Sequence, residues 1–444
     1  MRYLYVIFLV SILNVACGQS IKGTWKGELR TPGQQIPLVF HIRQGDTGYT
    51  GTMDSPKQGA IGLPLSDVIL QGSMLTLKMN TAGLEYRGRV KGDSIIGQFS
   101  QGGGTFGLSL TRTQDSVTVI KRPQEPEGEP DYRSLTVSFS NEEANVTLAG
   151  TLTLPAKGKG FPAVMLVTGS GPQNRDEELF GHKPFKLIAD YLTKRGYAVL
   201  RYDDRGVGES TGDFSTATTY DFAGDAAAGV AFLAQHPAIG PSKIAVIGHS
   251  EGGMIAPMLA ADNSEIACIG LLAGPTIAID SLMLLQNAAF GKASGMNDDA
   301  LVKARNLNRR IYKIVKSNRS DGEARKELMD MLNNKKQVQE LMSPWFRAFF
   351  RFEPEVYLNR VTCPIFAVYG GKDLQVPAEE NLNAIYRISE KKKNRLDFIK
   401  VYPGLNHLFQ HAQTGLMSEY GFLEETMSDE VLHDLNKWLD RVMR

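Results

Sequence analysis

The sequence predicts an α/β fold, a doubly wound and mostly parallel sheet with a helical insertion, preceded by a small all-β domain. Three observations carry that reading. Short apolar runs at 163–167, 198–202, 244–247, 266–272, 364–369 and 397–402 alternate with helical stretches, as parallel strands joined by helical crossovers do. Residues 19–121 instead alternate β-rich runs with Gly, Asp and Asn turns, the pattern of antiparallel strands. Between them, Arg122-Pro123-Gln124-Glu125-Pro126-Glu127-Gly128-Glu129-Pro130 combines prolines that cannot donate to a ladder with charges that are costly to bury, which sets a linker at 122–132. A chain of 444 residues with 42% apolar content can bury at least one large core, and it exceeds the size at which single cores usually stop growing. The 49 Lys and Arg nearly balance the 48 Asp and Glu, which removes the electrostatic case for a nucleic-acid partner.

Taken in order, residues 1–18 read as a signal peptide: Arg2 opens an apolar stretch too short for a membrane span. Cleavage after Gly18 would leave Gln19 first, and lipidation at Cys17 is the rival processing route, disfavoured by Asn14 three places earlier. Either way an exported, periplasmic or secreted chain is expected, with no integral membrane span. Cys268 and Cys363 then remain, in apolar strand-like runs that suit buried free thiols. The β-rich runs 38–42, 75–79 and 95–99 belong to the 19–121 domain, whose length suits about eight strands. Its Gly23-Thr24-Trp25 resembles the opening of lipocalin-like barrels, with Trp25 read as a core plug and the domain as a scaffold or lid, ligand capture inside the barrel being the alternative.

From 133 to 444 the second domain opens with a hairpin at 135–139 and 146–154, followed by helices at 183–195 and 220–234 among the parallel strands. The stretch of about 276–360 is too long for a loop and rich in helix formers, so it reads as a helical cap. Its aromatic run at 345–352 can pack cap onto core or line a pocket, and packing is the expectation for most of it. A final helix from Ser428 sets Val431, Leu435, Trp438, Leu439 and Val442 on one face.

Chemistry concentrates in this second domain. Gly248-His249-Ser250-Glu251-Gly252 follows strand 244–247 and leads into the helical stretch 254–261. A serine hydroxyl is a weak nucleophile at neutral pH, so chemistry that uses one holds it on a tight strand-to-helix turn beside a base and oxyanion donors. Strand 364–369 ends in Gly370-Gly371-Lys372-Asp373, and strand 396–402 runs into Pro403-Gly404-Leu405-Asn406-His407. Open α/β sheets bind ligands outside the carboxyl ends of their strands, so Ser250, Asp373 and His407 are expected to meet there. Asp373 would orient an imidazole, His407 would be the base, and His411 is the reserve. His249 is expected to shape the pocket, because neighbours on such a turn point apart.

The order Ser, Asp, His, together with Thr168-Gly169-Ser170-Gly171-Pro172 and Tyr202-Asp203-Asp204-Arg205-Gly206-Val207-Gly208-Glu209-Ser210, resembles the α/β-hydrolase superfamily from about residue 133 onward. Within it the chain resembles bacterial secreted serine esterases that carry an amino-terminal lipocalin-like β domain. The first segment is similar to the H-G-x-G oxyanion loop, with Thr168 in place of histidine; the second is similar to the D-x-R-G-x-G-x-S turn. The resemblance implies an oxyanion hole made by the backbone N–H of Glu251 and that of Ser170 or Gly171. It implies Asp203 and Asp204 in structural roles, with Arg205 pairing a carboxylate. It further implies acyl transfer through Ser250, no cofactor, no metal, and a small-molecule ester as substrate. A serine peptidase acting on short peptides is the alternative enzyme; a surface ligand-binding protein with the hydrolase fold as scaffold is the alternative of another class.

Overall fold

The structure is a computed structural model that describes residues 20–31, 34–45, 48–56, 60–101, 104–113 and 121–444. The leader at 1–18, with Cys17, lies outside the described residues. The chain divides into two compact units, Met1–Val119 and Ile120–Arg444.

The first unit is one antiparallel sheet of strands β1 (Gly23–Thr31), β2 (Gln34–Gly45), β3 (Gly48–Ser55), β4 (Ala60–Pro64), β5 (Asp67–Gln71), β6 (Met74–Met79), β7 (Leu84–Lys91), β8 (Ser94–Gln101) and β9 (Gly104–Thr113). Their spatial order is 4-3-2-1-9-8-7-6-5, so the chain meanders and β9 returns to pair with β1. Among the described residues nine strands form where the length suggested about eight, because two five-residue strands, β4 and β5, flank the corner Leu65-Ser66. The Leu65 N–H donates to Gly51 O at 3.0 Å, folding that corner back onto β3 and curling the sheet into a half-barrel. Alternation sorts the faces: in β7, Leu84, Tyr86 and Val90 are buried while Arg87 and Arg89 are exposed. Trp25 is fully buried in this core, its Nε1–H donating to Ile21 O at 2.8 Å and the Arg112 guanidinium lying 4.2 Å over its ring.

The second unit is a mixed sheet with helices on it. Its strands are β10 (Arg133–Asn141), β11 (Val146–Leu154), β12 (Phe161–Val167), β13 (Ala198–Tyr202), β14 (Ile239–His249), β15 (Ile266–Leu272), β16 (Ile365–Gly370) and β17 (Phe398–Tyr402). The order is 10-11-13-12-14-15-16-17; β10 and β11 are an antiparallel hairpin, β11 pairs antiparallel with β13, and every later pairing is parallel. The central strands are buried on both faces and so read as continuous apolar runs, as Phe-Pro-Ala-Val-Met-Leu-Val of β12 does. Helices α1 (Pro184–Thr193), α2 (Thr219–Gln235), α3 (Gly252–Asp262), α10 (Ala378–Lys392) and α12 (Asp429–Met443) belong to the core layers, and α11 (Met417–Tyr420) is a single turn between the last two. A capping box of Thr218 and Asp221 starts α2, and the Ser428 hydroxyl caps α12. The cap comprises α4 (Ile279–Ala293), α5 (Asp298–Lys316), α6 (Asp321–Leu332), α7 (Lys335–Leu341), α8 (Pro344–Arg351) and α9 (Pro354–Leu358), inserted between β15 and β16.

The proline-rich segment after residue 121 is not a free tether within this unit. Arg122 donates from Nη1 to Leu423 O at 2.6 Å and from Nη2 to Gly421 O at 2.9 Å and Phe180 O at 3.2 Å. Gln124 accepts from Thr426 N–H at 2.7 Å and donates to Met427 O at 2.8 Å, while Glu125 accepts from Lys183 N–H at 2.9 Å. The charges that made this segment costly to bury here meet backbone carbonyls and N–H groups, which supply the partners that make its docking tolerable. Arg122 therefore clasps two loops that lie far apart in sequence. Arg122→Ala is expected to lower the stability of the second unit by about 1.5–3 kcal/mol, the usual range for hydrogen bonds that involve a charged group. Denaturant unfolding followed by near-ultraviolet circular dichroism checks this, and an unchanged midpoint would contradict it.

Candidate active site

Four loops leave the carboxyl ends of β12, β14, β16 and β17, and the residues singled out from the sequence lie on them. Ser250 follows β14 directly and takes φ of 51°, left-handed backbone for a residue with a Cβ. The turn is held by the Ser250 N–H donating to Leu272 O at 2.9 Å and the Gly253 N–H donating to Ser250 O at 2.9 Å. Its glycines answer a space requirement: a Cβ on Gly248 would run into the Gly252 carbonyl, and one on Gly252 into the Val167 carbonyl of β12.

Asp373 and His407 meet across adjoining loops. His407 Nδ1 lies 2.7 Å from Asp373 Oδ2, and the other carboxylate oxygen accepts from the N–H groups of Gln375 at 2.7 Å and Val376 at 2.9 Å. Both side chains are buried. A carboxylate fixed at both oxygens orients the ring, and a proton on Nδ1 leaves Nε2 with its lone pair. The two loops are themselves joined, Gly371 N–H to Tyr402 O at 2.8 Å and Lys372 N–H to Leu405 O at 2.9 Å. Ser250 and His407 line one cavity of about 310 Å³, together with Ser170, Glu251 and His249. Gly171, next in the loop after β12, takes φ of 101° and is not part of that lining. His411 is exposed and bonded to Glu425 at 2.9 Å, away from the cavity lining. The aromatic run splits: Trp345, Phe346 and Phe349 line the cavity, while Phe350 and Phe352 are fully buried in the core.

The acidic residues of the Tyr202–Ser210 segment brace the surrounding loops. Arg205 grips Asp225 with two bonds of 2.6 and 2.8 Å, and Arg175 grips Asp203 at 2.6 Å. Asp204 accepts from the Thr168 hydroxyl at 2.8 Å and the Gln173 N–H at 2.9 Å, so Thr168, standing where histidine was expected, ties the loop after β12 to the end of β13.

Glu177 is the residue that sequence reasoning missed. It sits in the acidic run Asp176-Glu177-Glu178, which reads as solvated surface, yet its side chain is buried. One oxygen, Oε1, accepts both from the Gly169 N–H at 2.8 Å and from His249 Nδ1 at 2.8 Å. His249 Nε2 in turn lies 3.0 Å from the His407 carbonyl oxygen, with the two rings 4.7 Å apart. Both His249 nitrogens thus face acceptors, which is the bonding pattern of an imidazolium. Burial disfavours the charged ring, but the Glu177 charge and hydrogen bond outweigh it and hold the His249 pKa above its ordinary value. Burial likewise pushes the Glu251 carboxyl up, against hydrogen bonds from Thr219 at 2.5 Å and Trp345 at 2.9 Å.

Residues 183–412, the stretch that contains Ser250, Asp373 and His407, match the family described as serine aminopeptidase, S33. The chain belongs to that family of hydrolases. Esterase EstD of Thermotoga maritima is 28% identical to this family member over 316 residues, which are 70% of this chain and 69% of that protein. Among solved structures, an esterase of Pyrococcus furiosus overlaps 74% of this chain and 100% of its own, at 17% identity and a TM-score of 0.46. Est1E of Butyrivibrio proteoclasticus, solved with ferulic acid bound, overlaps 69% of this chain and 97% of its own at 18% identity and a TM-score of 0.42.

The His249 shift gives this S33 member a pH signature. A histidine whose folded pKa exceeds its unfolded value of about 6.5 contributes its full stabilisation below that pH and loses it as pH rises through the folded value. Deprotonated, His249 can keep only one of its two bonds as donor, so its link to Glu177 or to the His407 carbonyl is lost. Glu177→Gln removes the anion that raises this pKa, and the alkaline fall in kcat/KM should move to lower pH. Rates measured from about pH 6 to 10 on both proteins read the effect. An alkaline limb that stays in place in a folded variant would show that the pair does not govern the loops.

Proposed function

We propose that this chain hydrolyses small-molecule carboxylic esters through a covalent acyl-serine intermediate, with Ser250 as nucleophile, His407 as base and Asp373 as its orienting carboxylate. The observation that carries the reading is the 2.7 Å contact between His407 Nδ1 and Asp373, on the cavity where Ser250 is held at φ of 51°. His407 Nε2 takes the hydroxyl proton as Ser250 Oγ bonds to the ester carbon; the tetrahedral oxyanion collapses, and the alkoxide leaves with the proton from His407. Water then adds to the acyl carbon with its proton passing to His407, and as the bond between that carbon and Ser250 Oγ breaks His407 returns the proton to Oγ, releasing the acid. The backbone N–H of Glu251 and that of Ser170 are the proposed oxyanion donors, Gly171 being the weaker choice because it does not line the cavity.

An ester is favoured by the apolar wall of Leu282, Met283, Trp345, Phe346, Phe349 and Val376, and by the engagement of the Glu177 carboxylate with Gly169 and His249. One observation favours a second reading, hydrolysis of aminoacyl amides: Glu251 Oε2 is buried with no hydrogen-bond partner among the described residues, as a group awaiting an ammonium would be. Turnover of p-nitrophenyl acetate and butyrate against alanine and proline p-nitroanilides separates the two, and higher kcat/KM on the anilides would overturn the first. A fluorophosphonate should label the protein once, and Ser250→Ala should abolish labelling and turnover while the fold survives. Asp373→Asn should cost about 10⁴-fold in kcat by disfavouring the working tautomer. His411→Ala should leave the rate and its acid limb unchanged, whereas His407→Ala should lose activity; the reverse result would reassign the base.

A further inference from the structure

On the other side of α4 from Ser250 the cap carries a second cavity, of about 910 Å³. Helix α4 is the shared wall. Leu282, Met283 and Gln286 face the Ser250 cavity while Ala278, Ser281 and Leu285 face the second, the division that a 3.6-residue period makes. The floor of the second cavity is apolar, from Ile277, Leu284 and Leu285, all half-buried.

Its rim is cationic. Arg305, Arg309, Lys313 and Lys316 line it at helical spacing along α5, and Arg387 joins them from α10. Two carboxylates, Asp280 and Glu380, share the lining with these five cations, in a chain whose net charge is only +1. Lys316 is already neutralised, by Asp280 at 3.3 Å and Glu353 at 2.6 Å. The other four, Arg305, Arg309, Lys313 and Arg387, make no ion pair with any described residue. A solvated helix face usually intersperses acids at i±4, since like charges at that spacing repel. Here the acids of α5 are Asp298 and Asp299, confined to its first turn. Concave surfaces with one sign of charge raise the local concentration of the opposite ion, and an apolar floor beneath them rewards a ligand with an apolar body. A small inorganic anion would not use that floor, and a membrane face would call for a flat surface rather than a concave one.

We propose that this cavity binds a monomeric anionic amphiphile, a long-chain carboxylate whose head pairs with Arg309 and Arg387 and whose chain lies over Ile277, Leu284 and Leu285. The site is separate from the Ser250 cavity and does not depend on the reaction carried out there.

Isothermal titration of the full chain with dodecanoate, kept below its micelle-forming concentration, tests it. One dodecanoate should bind per chain, the uncharged dodecanol about tenfold or more weakly, and raised salt should weaken the carboxylate alone. Arg309→Gln with Arg387→Gln should lower dodecanoate affinity about tenfold or more, while melting temperature and turnover of p-nitrophenyl acetate stay as in the parent. Should that pair lower the melting temperature, Arg305→Gln with Lys313→Gln is expected to give the same loss of affinity and decides the matter. Dodecanoate affinity unmoved by the substitutions would assign the ligand to the Ser250 cavity and overturn the proposal. Equal binding of dodecanol would overturn it too. So would capture of the chain by anionic phospholipid vesicles without binding of monomeric dodecanoate, which would make the face a membrane contact instead.

Discussion

The arrangement of the site depends on one backbone constraint, the left-handed turn at Ser250. A non-glycine residue there costs about 1–3 kcal/mol and persists only where its surroundings over-determine it. Here they do so from three sides: β15 accepts the Ser250 N–H, α3 begins on the Ser250 carbonyl, and β12 passes so close that residue 252 has no room for a Cβ. The same closeness brings the loop after β12 against the serine, where a Cβ on Gly169 would stand 3.2 Å from that of Ser250. Strain at one residue and crowding at its neighbours are two aspects of a single packing solution.

Around that turn the loops are joined by a small number of buried polar contacts, and Glu177 is their meeting point. Its one oxygen holds the Gly169 N–H and His249, and His249 passes the connection to the His407 carbonyl. Three loops from three strands therefore share a single carboxylate. Such a pair is costly to desolvate and costlier to break, since removing one partner leaves an uncompensated buried charge. Asp204 does the same for Thr168 and Gln173, and Asp225 for Arg205 and Asn141, so carboxylates outside the proposed triad supply much of its rigidity.

The cap and the segment after residue 121 complete the cavity from outside the sheet. Trp345 reaches the elbow through its bond to Glu251, which links α8 to the residue next to the nucleophile. Arg122 clasps the loops that carry Phe180 and Tyr420, rings packed edge to face at 5.4 Å, and both residues line the site. The cavity wall thus draws on parts of the second unit that are remote in sequence, each docked by a few hydrogen bonds.

The elements were legible in the sequence wherever a local pattern dictates them. Strands 198–202 and 266–272 fall where their apolar runs put them, and α2 and α12 begin at Thr218 and Ser428 because those side chains cap the first turn. The placement of Ser250, Asp373 and His407 was legible for a similar reason: each follows a strand at a glycine-marked turn, and strand ends share one edge of the sheet. Glu177, the Arg122 clasp, the inward side of the 345–352 run and the cationic cavity beyond α4 were not. An acidic run, a proline-rich segment, an aromatic helix and a basic helix each look the same in sequence whether solvated or docked. What distinguishes them is which groups the folded chain brings within hydrogen-bonding distance, often across 50 to 300 residues, and that is decided by the packing of the whole unit rather than by any local spacing.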